Sequence, residues 1–537
     1  MESTLPYPAA FTDADGYITS LLEFTSTELF RQLVGGVHIL DFFTSSPILY
    51  ESILPVEWRE YFDTKTIDDV LELLLQTDLS NTRPDGVPDS LYEFARNVQR
   101  HELRRGFEQR SNLEDDPEGK HVLHRRRKLA LGMTNKKLHE VEHFARYVST
   151  LVRSMAKDPS RSGDSITHLV DFGSGQSYLS RILASPPHNL DLVAVESKAS
   201  NIEAGKALDA RAGLAAKSQG KTLKETLDSA TQTDEQKKGS ITYVQHMIKD
   251  ESMKEVLDAL DTSKEQNADP STRQPGLMII SLHSCGNLIH HALNALLGND
   301  EVKAVAVVGC CYNLMTERGG PTYKPPYQKY APAPHITIDS SCLNYHFPLS
   351  TRLSSQNTTL DITARMMACQ APRNWTAENS ADFFRRHFYR ALLQRIFYDN
   401  NILRATEPLI VGSLRKGSYT GFYEYVNAAI KKILGASTGP DACTGVGEGV
   451  KDRIRKSGLD AISKETVAGY MVKYADGLKQ LSVMWALMAF CAGCVESLIV
   501  VDRWCYLMES GKCRIVKVES AFDYAVSPRN LVVVGLK

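Results

Sequence analysis

Apolar residues recur along this chain in two rhythms. In TELFRQLVGGVHILDFF and TIDDVLELLLQT they fall at helical spacing. Between these segments SSPILYESILPVEW is broken by Pro47 and Pro55, so residues about 1–130 read as a helical N-terminal region. Near Met133 the pattern changes. TNKKLHEVEHFARYVSTLV predicts an amphipathic helix with Thr134 or Asn135 as its N-cap. Short apolar runs then alternate with helical segments. ITHLVDFG, DLVAVES, ITYVQHM, GLMIISLH and VKAVAVVGCCY read as strands, and GQSYLSRILAS, SNIEAGKALDARAG and NLIHHALNALLG as helices. Such alternation predicts a mostly parallel sheet with helices on both faces.

The alternation then stops. PTYKPPYQKYAPAP is loop by its prolines, and GASTGPDACTGVGEG is a glycine-rich loop. Residues about 380–435 and from Ile454 to Ser510 return to helical spacing. CRIVKVESAF and NLVVVGLK end the chain as two strands, expected to pair as an antiparallel hairpin. The predicted fold class is α/β: a Rossmann-like sheet, mostly parallel, closed by that hairpin, with a helical N-terminal region and a helical insertion. The expected division is a helical region at 1–130, a nucleotide-type core at 131–320 and a mainly helical insertion at 321–475. The final helices and hairpin, 476–537, complete the core.

Composition narrows the class. The 537 residues are 42% hydrophobic and 23% charged with a formal net charge of −2, so no protein-wide field favours nucleic acid. The opening residues carry acids and prolines where a secretory leader needs a basic start and an apolar run. Ten cysteines without such a leader fit reduced thiols, and a cytoplasmic or nuclear location is expected. The uncharged stretch QLSVMWALMAFCAGCV is shorter than the roughly 20 residues of a membrane span and reads as a buried core helix.

Candidate chemistry clusters at the ends of the predicted strands. DFGSGQSYLS lies at a strand-to-helix turn, where Gly173 and Gly175 let backbone turn tightly and approach a ligand. Asp171 precedes them and can accept a hydrogen bond from the ligand side of the loop. Glu196 ends the next strand, where a carboxylate suits the two hydroxyls of a ribose. A dinucleotide enzyme wants a small residue where Tyr178 stands, and needs open helix N-terminal space for pyrophosphate. Both points favour S-adenosylmethionine, which has no phosphate, over NAD. Lys137 can pair with the donor's carboxylate, or simply charge a surface helix terminus.

After the fourth strand of the series, SLHSCGNL places His283 as a candidate general base, or a packed histidine, with Cys285 beside it. After the fifth, GCCYNLMTE holds Cys310, Cys311 and Tyr312. Adjacent cysteines on a strand point apart, so at most one is expected to face the crevice. No spacing demands a metal, and none is assigned. Tyr312 is expected to stack on a flat acceptor or to lie at the core edge. Arg385, Arg386, Arg390 and Arg395 sit among Phe384, Phe388 and Tyr389 on one helix, either an RNA-binding face or a helix with core aromatics and locally paired arginines. The basic run HRRRK at 124–128 has the same two readings, a solvated face or a nucleic-acid contact.

At KKLHEVE, DFGSGQSYLS, SLHSCGNL, VVGCCYNLMTE and the C-terminal DRWCYLMESG…FDYAVSPRNLVVVGLK, the chain resembles a eukaryotic methyltransferase-like family. One branch of that family is named for a ribosomal RNA adenine dimethylase domain. The resemblance covers nearly the full length, including the N-terminal HILDFFTSSPILYESILPVEWREYF. It implies the class I methyltransferase fold and S-adenosylmethionine as donor. More loosely, DFGSG and GCCY are similar to tRNA 2′-O-methyltransferases with a Cys/His-rich segment, but Tyr312 and Asn313 stand where those have histidines. SLHSCGN also stands where adenine N6 enzymes carry an asparagine–proline–aromatic motif. The expected function is therefore methyl transfer to a macromolecular acceptor, RNA or protein. Gly173, Gly175, Asp171, Glu196 and Lys137 would hold the donor, and His283, Cys285 and Tyr312 would line the acceptor side. The alternatives are a donor-binding interaction module without turnover and an NAD-dependent oxidoreductase. No membrane association is expected.

Overall fold

In a computed structural model of the chain the described residues are 2–36, 39–107, 128–157, 165–212, 214, 239–264, 275–318, 345–403, 411–435 and 448–537. The basic run at 124–127, most of the polar insertion at 211–240, the proline-rich loop at 321–334 and most of the glycine-rich loop at 435–449 lie outside them.

Eight strands form one sheet: β1 (Glu2–Thr4), β2 (His168–Phe172), β3 (Leu192–Glu196), β4 (Ile241–Gln245), β5 (Leu277–Ser284), β6 (Val302–Gly309), β7 (Ile515–Ser520) and β8 (Leu531–Leu536). Their order is β1-β7-β8-β6-β5-β2-β3-β4. The strands β4, β3, β2, β5 and β6 are parallel neighbours. The β7–β8 hairpin is antiparallel within itself, and β8 runs antiparallel to β6. The predicted fold class is the observed one. The sequence pattern missed only β1, three polar residues paired parallel to β7 at the sheet edge. So short and polar a strand carries no period to read.

The named helices are α1 (Ala14–Ser26), α2 (Asp89–His101), α3 (Asn135–Ala156), α4 (Tyr178–Ala184), α5 (Ala199–Ala212), α6 (Lys254–Lys264), α7 (Leu288–Gly298), α8 (Ala377–Asp399), α9 (Phe422–Leu434), α10 (Gly477–Phe490) and α11 (Ala492–Glu509). Thr134 caps α3, its side chain accepting from the Lys137 N–H.

Strand alternation sends side chains to opposite faces. Val170, Ile279, Val305 and Val533 enter one apolar cluster with α7, α10, α11, the N-terminal helices and the helices of the 345–473 region. Leu169, Met278, Ala306 and Val534 enter a second cluster with α3 and α4. The N-terminal region and α8 share the first cluster, with Phe43 packed edge-on against Phe388 at 5.8 Å between ring centres. The segment Gly477–Glu509 is long and apolar enough to cross a membrane, but 94% of its most apolar window is buried inside the protein. Burial there is what the shorter uncharged stretch led us to expect.

Strand order reverses between β2 and β5, with β3 continuing on one side and β6 on the other. In open α/β sheets that switch point, beyond the carboxyl ends of the strands, is where ligands bind.

Candidate active site

On the β2 side of the switch, the chain leaves Phe172 through a loop that needs glycine. Gly173 and Gly175 have φ of +70° and +57°, a backbone region that side chains rarely tolerate. A Cβ on Gly173 would press on Leu288 at 3.0 Å, whereas one on Gly175 would meet nothing within 4 Å. The loop is fixed from β3: the Gly173 and Ser174 N–H groups both donate to Val195 O at 3.0 Å.

Glu196, at the end of β3, is buried but for 8%. It accepts from the Gly175 N–H at 2.9 Å through Oε2, and from the Lys198 N–H at 2.9 Å through Oε1. Its carboxylate thus sits against the same loop as the two glycines.

Asp171 departs from expectation. It is buried inside β2 and accepts from Ser180 Oγ at 2.7 Å, a group of α4 rather than of the open side of the loop. Burial pushes its carboxyl up to about 7, against the Ser180 bond and the charges of His283 and Lys137. Lys137 places its ammonium 4.7 Å from the centre of the Tyr178 ring. Tyr178 in turn donates to Gln176 Oε1 at 2.8 Å and Gly132 O at 3.2 Å. A bulky, bonded ring therefore fills the position that a dinucleotide fingerprint leaves small.

On the β5 side, the register to β6 shifts between Ser281 and Ser284. Such irregularities re-aim side chains at strand ends. His283 is exposed and lies 3.4 Å, through Nε2, from Glu140 Oε2 of α3. Glu140 is 4% exposed and also accepts from Ser527 Oγ at 2.5 Å, in the turn of the β7–β8 hairpin. Burial raises the Glu140 carboxyl, but the bonds from His283 and Ser527 outweigh it and hold the group below its ordinary range. A buried carboxylate that fixes an exposed imidazole is the arrangement that orients a general base. The sequence reading passed over this role of Glu140. The available signal was an acid one turn before Phe144, on the apolar stripe of α3.

Asn287 does not cap α7 through its side chain. It pairs with Thr316 instead, donating to Oγ1 at 2.6 Å and accepting from the N–H at 3.0 Å.

Cys285, Cys310 and Cys311 meet where β5 and β6 end. Their sulfurs are 3.2 Å (Cys285–Cys310), 3.3 Å (Cys285–Cys311) and 3.6 Å (Cys310–Cys311) apart. The expectation that at most one of the adjacent pair faces the crevice is corrected. β6 stops at Gly309, so strand alternation no longer governs the two residues. Hydrogen bonding from Cys310 holds the Cys285 thiol below its ordinary range, while the partner thiols are pushed up.

Tyr312 is likewise corrected as a stacking surface. It is 3% exposed, and its hydroxyl donates to Glu496 Oε1 at 2.7 Å. Arg503 and Arg529 lie 5.4 and 5.9 Å from its ring centre. Glu496 also pairs with Arg105, and with Arg529 at 2.9 Å. The ring supports the cysteine loop from beneath.

The arginine-rich helix α8 has core aromatics and local ion pairs at Arg385, Arg386 and Arg395. Phe384, Phe388 and Tyr389 are buried and present no faces for bases. Arg385 and Arg386 both pair with Asp382, Arg386 at 2.6 Å, and Arg395 pairs with Asp399 at 2.6 Å. A cavity of about 610 Å³ lined by Ala14, Arg352, Trp504 and Glu509 lies between the start of α1 and the C-terminal end of α11, and none of the residues above lines it.

With this geometry in place, the comparisons with known proteins point the same way. Residues 136–318 match the family described as a methyltransferase domain. Two relatives are each named probable methyltransferase-like protein 25. The Mus musculus protein is 28% identical over 54% of this chain and 42% of its own length, and the Homo sapiens protein 27% identical over 48% and 37%. The match thus spans about two fifths of these curated relatives. It supports the methyltransferase-like resemblance in its broader form, while the ribosomal RNA adenine dimethylase branch rests on the sequence motifs alone. No solved structure matches the chain.

Proposed function

We propose that this protein transfers a methyl group from S-adenosylmethionine to a macromolecular acceptor, RNA or protein, in the cytoplasm or nucleus. The observation that carries the reading is Glu196. Its carboxylate ends β3 and is bonded to the N–H of Gly175, beside a glycine whose Cβ position is open. That combination suits a ribose held against a glycine turn. Gly173 and Gly175 would supply close backbone approach, Glu196 would accept from the ribose hydroxyls, and Lys137 would face the donor's carboxylate. Asp171 acts behind the loop, holding it through Ser180.

The donor supplies an electrophilic methyl on a sulfonium, so most of the acceleration is positioning. Across the switch point, His283 would take the proton of an oxygen or nitrogen acceptor, with Glu140 stabilising the imidazolium that results. Cys285 borders the same opening. Tyr312 would act only through the loop it supports.

The test is thermal. S-adenosylhomocysteine at about 100 times its Kd should stabilise the fold by about 2.7 kcal/mol and raise Tm, since a ligand that binds only the native state stabilises it by mass action. NAD should leave Tm unchanged. Stabilisation by NAD alone would replace this reading with the oxidoreductase. Stabilisation by S-adenosylhomocysteine, with no label passing from labelled donor to RNA or protein, would favour the interaction module.

A further inference from the structure

Three thiols from two separate loops converge at the ends of β5 and β6, and neither loop is free to separate from the other. The Gly286 N–H donates to Cys311 O at 3.2 Å, and the Cys310 N–H to Ser284 O at 3.4 Å. Gly286 has φ +57°, and a Cβ there would meet Leu314 O at 2.8 Å, so glycine is what lets the Cys285 loop lie against the Cys310–Leu314 segment. The sulfur separations of 3.2, 3.3 and 3.6 Å exceed the roughly 2 Å of a disulfide by more than an ångström. They approach the edge of a tetrahedral thiolate face, about 3.8 Å for zinc–sulfur bonds of about 2.3 Å. Among the described residues this is the group of cysteine, histidine and acidic side chains whose ligand atoms fall close enough together to share one ion.

We propose that Cys285, Cys310 and Cys311 bind one zinc ion. Thiolate donors select soft or borderline metals, zinc among them, over magnesium or calcium. Each sulfur binds as its thiolate, any thiol still protonated releases its proton to solvent on binding, and no oxidant or reductant is involved. Cys285 is exposed and the other two are partly buried, so the ion is held from the protein side and open on the solvent side. Three protein ligands with an open fourth position mark a site that can take a water or an incoming ligand rather than a closed structural one. Cys369 is the nearest further thiol described around this loop. Its sulfur lies 3.5 Å from Asn313 Oδ1 and 3.8 Å from Cys310 O, engaged with the loop rather than with the three sulfurs. The site stands on this geometry whether or not the chain transfers methyl groups.

The test uses the full chain, purified reduced and stripped with a chelator. Zinc added back and counted by elemental mass spectrometry should reach one equivalent, and cobalt in its place should give thiolate charge-transfer and tetrahedral ligand-field bands. Cys285→Ser, at an exposed position, should lower zinc affinity at least about 100-fold, with unchanged circular dichroism. Cys369→Ser should retain one equivalent and the same cobalt spectrum. Three outcomes would overturn the proposal: less than a tenth of an equivalent in the reduced wild type, full affinity in Cys285→Ser, or loss of the ion in Cys369→Ser. None of these readouts depends on S-adenosylhomocysteine binding, so failure here is separable from failure of the methyl-transfer reading.

Discussion

The two sides of the crevice hold their shape by different means. On the β2–β3 side the working surface is backbone: glycines in left-handed conformation, with Glu196 gripping two N–H groups. On the β5–β6 side it is side chains, a histidine and three thiols, resting on Tyr312 and a buried cluster around Glu496. A surface made of backbone tolerates few changes at the glycines. A surface made of side chains is only as firm as the layer that supports it. Substitutions on one side should therefore alter binding, and those beneath the other should alter stability.

Gly175→Val should separate the two most sharply. A β-branched residue at φ +57° is strained and fills the open approach, so calorimetry should detect no S-adenosylhomocysteine binding while the fold persists. Binding at wild-type affinity would break the comparison at its donor end. Beneath the other side, Glu496→Ala leaves Arg105 and Arg529 buried without their shared carboxylate. It should cost about 3–5 kcal/mol in denaturant unfolding and leave donor affinity within about twofold. A change in donor affinity without loss of stability would show the two sides to be one unit.

Glu196→Ala comes next, weakening donor binding by roughly 1–3 kcal/mol, the scale of hydrogen bonds to a charged group. Calorimetry with unchanged affinity would remove Glu196 from the site. The smallest effect concerns Asp171. Its folded pKa of about 7 lies above the ordinary 3.8, so the folded state holds the proton more tightly. That preference stabilises the fold fully below the ordinary value, fades as pH rises through the interval between the two, and is gone above the folded value. Wild type should therefore lose stability relative to Asp171→Asn between about pH 4 and about pH 7, and level off above it. Parallel stability curves for the two proteins would mean that Asp171 is charged in the fold.

The same contrast explains what could be read from the chain. The β2–β3 side was legible because its geometry is local: Gly173 and Gly175 lie within one turn and Glu196 ends the next strand, although Asp171 turns to Ser180 instead of the open side. The sheet was legible because Val, Ile and Leu runs between glycines predict buried strands. The other side is assembled from distant residues. Glu140 meets His283 and Ser527, and Cys285 meets Cys310 and Cys311. Tyr312 looks the same in sequence whether its ring faces a ligand or an arginine pair. Only the end of β6 at Gly309 decides which way the two cysteines turn, and strand ends are what sequence patterns fix least well.

The sheet order sets a timetable for synthesis. β6 is complete by Gly309, yet the strand that covers its outer edge is β8, from Leu531, and β1 at Glu2 pairs with β7, from Ile515. On the ribosome, the β6 edge must wait, unpaired with β8, while the stretch between is made, and β1 waits longer still for β7. The final hairpin carries Ser527 to Glu140 and Arg529 to Glu496 as it docks. A nascent chain can thus form the glycine loop early, but the β5–β6 side of the crevice takes shape only after the hairpin that carries Ser527 and Arg529 has been made.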